Sequence, residues 1–361
     1  MKQLTMKKTT QLKTGLQLVS AALALLGAGA AHAVPTIDFG AAKGFSAFIL
    51  GNVDQANDIE GRMAVGGNLT ANGLSINYRT PSTVTGPALV VGGDVKLNGG
   101  RIYSNAPAGV DSTKGSHLPY WDQSLSQYGN SYGVFGGSKT GSSAALDLRK
   151  QSGLIDFNAA ATTLRNTTAQ LGSLSATGKT QISSYTANGK TEISGISFVG
   201  TGADFEVFNV NTATFRNLSL SGIKAGATVV INYTGSDAVL FAGGQLTQNV
   251  AIGGLDPWGK PATQLDALNS NVLFNFSKTT DVTVGSFVGG SILAPYALVY
   301  GGEQRTGGGH LEGQLVALGL KSNLEVGYSP LVSAVPEPGS YAMLLAGLGV
   351  IGFVARRRRV R

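Results

Sequence analysis

Two pairs of residues in this chain have the spacing of acid–base partners. Asp204 and Glu206 stand two apart in GADFEVFNV, and His310 and Glu312 stand two apart in HLEGQLVA. Residues two apart in a strand project from the same face, so each pair could meet a substrate together. Glycoside cleavage needs two carboxylates at a defined separation, and a histidine beside a glutamate suits proton transfer, with Glu303 and Arg305 near in sequence. A plainer reading stands beside each. Asp204 and Glu206 alternate with Phe205 and Val207, as the solvent side of a half-buried strand does. His310 is one of three histidines, and His32 lies in a leader-like segment, so a catalytic zinc site is hard to assemble.

Asp54, Asn57, Asp58 and Glu60 crowd into one short stretch ahead of Gly61. Oxygen ligands this dense could hold Ca²⁺, which takes six to eight, but the order of an EF-hand loop is absent. Asp54, Asp58 and Glu60 serve equally well as turn caps on a solvated loop. Outside that one option, nothing in the chain asks for a cofactor. The aromatics Tyr103, Tyr120, Trp121, Tyr128, Tyr132 and Trp258 fall in loop-like sequence. Their faces can stack on sugar rings or cover an open side of the fold, and Tyr120, Trp121 and Trp258 are the candidate glycan contacts.

The elements that would position these residues are β-strands with glycine corners. An apolar residue, Gly-Gly and a small polar residue recur as Val65-Gly66-Gly67-Asn68, Val91-Gly92-Gly93-Asp94, Phe135-Gly136-Gly137-Ser138, Ala242-Gly243-Gly244-Gln245 and Val288-Gly289-Gly290-Ser291. Paired glycines permit positive φ or close backbone approach. Asn72-Gly73 and Asn98-Gly99 follow the first two copies at the same offset. Short strands between such corners predict a mainly β fold, an irregular β-solenoid, with a β-sandwich as the competing architecture. One segment departs from this: over 154–174, Phe157, Leu164 and Leu171 fall seven apart, predicting a flanking helix with Asp156 as its N-cap. Residues 103–149 and 253–269 read as loop excursions from a body spanning 34–334.

The two ends read as addresses. Lys2, Lys7, Lys8 and Lys13 precede a short apolar run that closes on Ala31-His32-Ala33, a secretory signal over 1–33 with cleavage before Val34. At the other end, Pro336-Glu337-Pro338 leads into an apolar segment, 339–355, and then Arg356, Arg357, Arg358 and Arg359. Seventeen residues span about 25 Å as a helix, short for a hydrocarbon core of about 30 Å. The signal holds four lysines, and residues 335–361 hold five arginines and one glutamate. Without them the 27 basic and 20 acidic residues fall to 18 and 19. The basic character therefore belongs to the ends, and no nucleic-acid partner is expected. The chain has no cysteine, which excludes thiol chemistry and disulfide support.

The arrangement from Pro336 to Arg359 resembles the PEP-CTERM sorting signal of Gram-negative bacteria. That resemblance implies Sec export through the translocon and signal peptidase, and a transient stay in the inner membrane on a transmembrane helix. An exosortase-like membrane protease would then cut near Pro-Glu-Pro, and the protein would reach the cell surface or exopolysaccharide matrix. The body, through FSAFILGNVDQANDIEGRMAVGGNLT, IDFNAAATTL, GSILAPYALV and HLEGQLVA, is similar to the choice-of-anchor A family, which implies a non-enzymatic, adhesin-like role toward polysaccharide or surface proteins. Its order of strands, helix and strands is also similar to ice-binding-like β-solenoids. Neither family supplies a catalytic set. A carbohydrate-active enzyme using Asp204 and Glu206 is the alternative. Ice or crystal-surface binding is another, although the Thr-X-Thr ladder it wants is represented only by the fragment TDVTVGS.

Overall fold

The first three Gly-Gly phrases each end one strand and let the backbone turn tightly against the turn stacked next to it. Gly66 N donates to Ile49 O at 2.8 Å, Gly92 N to Val65 O at 2.8 Å and Gly136 N to Val91 O at 2.9 Å. A Cβ on Gly92 would lie 2.4 Å from Gly66 O, and one on Gly136 would lie 2.3 Å from Gly92 O. Close approach is therefore what these corners require, and none of the three has a positive φ. The polar residue after the first two pairs, and Asn52 in the turn before them, supplies the acceptor that the next turn would otherwise lack. Asn52 Oδ1 accepts from Asn68 N, Asn68 Oδ1 from Asp94 N and Asp94 Oδ1 from Ser138 N, at 2.7–2.8 Å.

In the computed structural model, residues 37–105, 129–142, 146–244, 246–248, 251–255, 261–263, 270–332 and 347–348 are described. They are mainly β, and most strands pair in parallel. The broadest sheet runs Phe205–Val210, Thr228–Tyr233, Val272–Phe276, Ser291–Gly301, Leu315–Leu320, Ala47–Ile49, Met63–Val65, Leu89–Val91, Tyr132–Phe135, Asp147–Lys150. Spatial order thus departs from chain order: the C-terminal strands continue into the N-terminal ones, with Phe48 opposite Val316. A second parallel sheet repeats the junction, with Ile59 of Asp58–Ile59 opposite Val326 of Glu325–Val326. A third begins with an antiparallel hairpin, Lys179–Ala187 against Lys190–Val199, and adds Leu218–Ser221 and Leu246–Gln248 in parallel. Apolar side chains from all three sheets form one core. Parallel strands covered on both faces read as continuous apolar runs, and Thr228–Tyr233 is buried at all six positions.

The predicted helix is present as α1, Phe157–Gly172, capped by Asp156, whose carboxylate accepts from Asn158 N and Ala159 N. It crosses the outer face of the broad sheet. The Phe157 ring lies 5.4 Å from that of Phe48, and Leu171 O accepts from Asn232 Nδ2 at 2.9 Å. Those strands are four steps apart, about 19 Å at the usual inter-strand spacing, and fourteen helical residues rise about 21 Å. The helix therefore carries the chain back along the stack toward Phe205–Val210. Asn209, Asn232 and Asn275 occupy one register beneath it, and Asn275 also receives the Thr168 hydroxyl at 2.5 Å.

Some expectations are corrected and others fall outside this description. The excursion over 103–149 is shorter, because Tyr132–Phe135 and Asp147–Lys150 extend the main parallel sheet. The sandwich alternative, built from antiparallel sheets, does not fit the parallel order. The hairpin at 179–199 is absent from the sequence reading, although Asn188-Gly189 carries the turn signal for it. No helix among the described residues is long and apolar enough to cross a membrane. The expected signal helix lies outside the described residues, as does the C-terminal segment apart from Gly347 and Leu348.

Candidate functional site

The pair Asp204 and Glu206 separates. Asp204 is half-buried and pairs with Lys224 Nζ at 2.5 Å. Glu206 is fully buried, so neither a shared groove nor a solvent-facing alternation describes it. Its Oε1 accepts from Thr201 N at 2.6 Å, Thr201 Oγ1 at 2.9 Å and Ala203 N at 3.1 Å, and its Oε2 accepts from Thr177 Oγ1 at 2.5 Å. Burial pushes this carboxyl up, but those bonds more than offset it and hold the group below its usual range. The carboxylate closes the loops at the end of the stack.

His310 and Glu312 do share a face, as their spacing predicts, and they belong to a larger network. His310 Nε2 is 3.1 Å from Glu312 Oε2, and Nδ1 is 3.2 Å from Glu325 Oε1. The Phe287 ring stacks on the imidazole at 4.9 Å. Glu312 also accepts from Arg79 Nη1 at 3.0 Å and from Ser329 Oγ at 2.6 Å. Arg79 pairs in turn with Glu60, and the Tyr78 hydroxyl reaches Asp58 Oδ1 at 3.0 Å and Glu60 Oε1 at 3.3 Å. Glu60, Arg79 and Glu312 are all fully buried. The glycine after Val326 makes room: a Cβ on Gly327 would lie 2.3 Å from Glu312 Oε2.

The parallel register assembles this cluster, placing His310 opposite Glu325 and Ile59 opposite Val326. It therefore sits on the seam where the C-terminal strands meet the N-terminal ones. Burial would lower the His310 pKa, but hydrogen bonds to Glu312 and Glu325 outweigh it and raise it to about 10. Glu312, against burial, is held down to about 2 by His310 and Arg79. Asp58 is raised to about 6, chiefly by burial, and burial likewise raises Glu60. Two cations thus offset two fully buried carboxylates. The arrangement joins strands and leaves Glu312 inaccessible to a substrate. Arg79, Tyr78, Glu325 and Ser329 are missing from the sequence reading, since no local pattern links Arg79 to a glutamate 233 residues away.

Of the proposed Ca²⁺ ligands, Asp58 and Glu60 meet at the Tyr78 hydroxyl, and Asp54 stays apart from them. Asp54 turns to Lys321 Nζ at 2.7 Å, Asp58 to Tyr78 and Glu60 to Arg79. Among the described residues no three His, Cys, Asp or Glu side chains are grouped to hold a metal ion. Arg305 stays apart from His310, pairing with Asp281 at 3.3 Å and lying 4.3 Å over the Tyr300 ring. Tyr103 is nearly buried, with the Arg101 guanidinium 4.5 Å over its ring, and Tyr132 lies 3.9 Å beneath that of Arg149. Tyr120, Trp121, Tyr128 and Trp258 fall outside the described residues. So do Ala31, Ala33, Val34, Pro336, Glu337, Pro338 and the arginines from Arg356 to Arg359.

Residues 38–328 match the family model of the ice-binding-like adhesive domain. The chain belongs to this family. Directly after the adhesive domain, residues 334–359 match the PEP-CTERM protein-sorting motif. Together these make the protein an exported, surface-associated, adhesin-like one, and the sorting motif implies processing by an exosortase. No curated protein matches the chain. Among solved structures, an ice-binding protein from the Antarctic ascomycete Antarctomyces psychrotrophicus is similar at 16% identity and a TM-score of 0.33, covering 83% of this chain and 99% of that one. A glycosylated ice-binding protein from an Arctic yeast is similar at 12% identity and a TM-score of 0.27, covering 84% and 96%. Scores this low equate neither fold nor function. Apart from Ser329, the seam network, α1 and the stacked glycine corners lie within the adhesive domain.

Proposed function

We propose that the adhesive domain binds polysaccharide or protein surfaces outside a Gram-negative cell, without catalysing a reaction, after an exosortase cuts near Pro336-Glu337-Pro338 and releases it into the envelope or exopolysaccharide matrix. The observation that carries this reading is the adjacency, in one chain, of the adhesive domain at 38–328 and the sorting motif at 334–359. The near balance of charge in the body supports many weak contacts over polyelectrolyte binding. The carboxylates that an enzyme would use are committed elsewhere, Glu206 to four hydrogen bonds and Glu312 to the seam. In this reading the coils close into an irregular solenoid of the choice-of-anchor A type. Tyr120, Trp121 and Trp258 stack on sugar rings, and no metal is needed.

Retention of the exported protein on purified exopolysaccharide tests the binding. Wild type is expected to be retained, and Trp121→Ala with Trp258→Ala is expected to weaken retention at least tenfold with the fold intact. Undiminished retention of the double variant would remove those aromatics from the site, and an unretained wild type would remove the polysaccharide. A crystalline surface such as ice is the second reading, favoured by the family description. Inhibition of ice recrystallisation by the same preparation distinguishes it.

A further inference from the structure

Two of the margins of the β structure among the described residues are built differently. At one end of the stack the last strands are Asp147–Lys150 and Lys139–Thr140, and Lys139, Asp147, Arg149 and Lys150 place charges along that margin. Charges on an edge strand are a common guard against pairing with another chain. The edge of the third sheet is Lys179–Ala187, nine residues long and exposed along most of its length. From Thr180 to Ala187 it carries no charge, proline or glycine. Ile182 and Tyr185 are 38% and 49% exposed. Its partner strand is backed by Leu218–Ser221 only over Ile196–Val199. The rest of the hairpin, through the left-handed turn at Asn188 and Gly189, stands as a two-stranded ribbon among the described residues. Such ribbons are marginal in water unless a further strand or surface joins them.

We propose that Lys179–Ala187 is a pairing edge through which two copies of this chain join, strand against strand, antiparallel about a two-fold axis at Ser183. The strand is complementary to itself in that register. Lys179 faces the partner's Ala187, Thr180 faces the partner's Thr186, Gln181 faces the partner's Tyr185 and Ile182 faces the partner's Ser184. No like charges oppose, and each contact occurs twice, as in an isologous dimer. A charged or proline-rich partner would find nothing here to match, whereas the strand's own neutral, hydroxyl-rich sequence does.

The absence of cysteine makes a clean test. Across an antiparallel pair the two Ser183 Cα atoms would lie about 4.5–5.5 Å apart, within disulfide range. In the full exported protein, Ser183→Cys is expected to cross-link to a dimer under mild oxidation, and Ser221→Cys, on the same sheet away from the edge, is not. Sedimentation of wild type is expected to give twice the monomer mass, and Ser183→Lys to return it to monomer with an unchanged circular dichroism spectrum. A monomeric wild type, a dimer that survives Ser183→Lys, or equal cross-linking at Ser221→Cys would each overturn the proposal. Should Ser183→Lys fail to fold, the two cysteine variants decide it alone.

Discussion

Arg79 bears more of the seam than any other side chain, because its guanidinium stands between two fully buried carboxylates, Glu60 and Glu312. Removing it leaves both without that cation, and breaking a buried pair from one side costs about 3–5 kcal/mol. Arg79→Met is therefore expected to lower the urea midpoint by an amount equivalent to that range; a loss below about 1 kcal/mol would contradict the network's role. The same cluster sets a pH dependence. His310 is raised from 6.5 to about 10, so its stabilisation is complete below the unfolded value and lost as pH rises through the folded one. The melting temperature is expected to fall from pH 7 to 10, and His310→Gln to flatten that slope; equal slopes would remove His310 as the cause. Asp58, raised from 3.8 to about 6, adds stability below pH 4 that is lost on going up to 6. Sequence spacing put His310 and Glu312 on one face correctly. It misread Glu206, because a charged residue alternating with Phe205 and Val207 suggests solvent, whereas the chain ends of the stack needed a buried acceptor.

Individual elements depend on two local devices. At Gly92 and Gly136 a single methyl group would meet backbone first, not a side chain that could swing away. Gly92→Ala is expected to cost about 1–3 kcal/mol, as overpacking does, measured by thermal or chemical denaturation; a neutral result would mean that the stacked corners have slack. At the start of α1, Asp156→Ala removes an acceptor for two backbone donors and is expected to cost about 1 kcal/mol. Both devices were legible, the first as a recurring phrase and the second as helical spacing after a capping residue. Of the three residues read as the helix's apolar stripe, Leu164 and Leu171 are buried and Phe157 is half-buried, and Ala160, Thr167 and Thr168 complete the buried face. What the sequence did not reveal is pairing. Ala47–Ile49 lies beside Leu315–Leu320, and no short-range signal connects segments so distant along the chain.

At the scale of the whole molecule that pairing makes the adhesive domain indivisible. The N-terminal strands complete a stack that the C-terminal strands begin, and α1 supplies the return path. Fragments 37–174 and 175–332, produced separately, are expected to lack a cooperative unfolding transition and to regain one on mixing; two independently folded halves would contradict the shared stack. Delivery rests on the other part of the chain, the sorting motif at 334–359 that follows the adhesive domain. The central claim is that this motif is an address removed on the way out. It is tested most directly by mass spectrometry of the terminal peptides of protein recovered outside the cell. The expected chain begins near Val34 and ends near Pro338, without Arg356, Arg357, Arg358 and Arg359. Surface protein that keeps those four arginines, or protein found intact and only in the inner membrane, would contradict it.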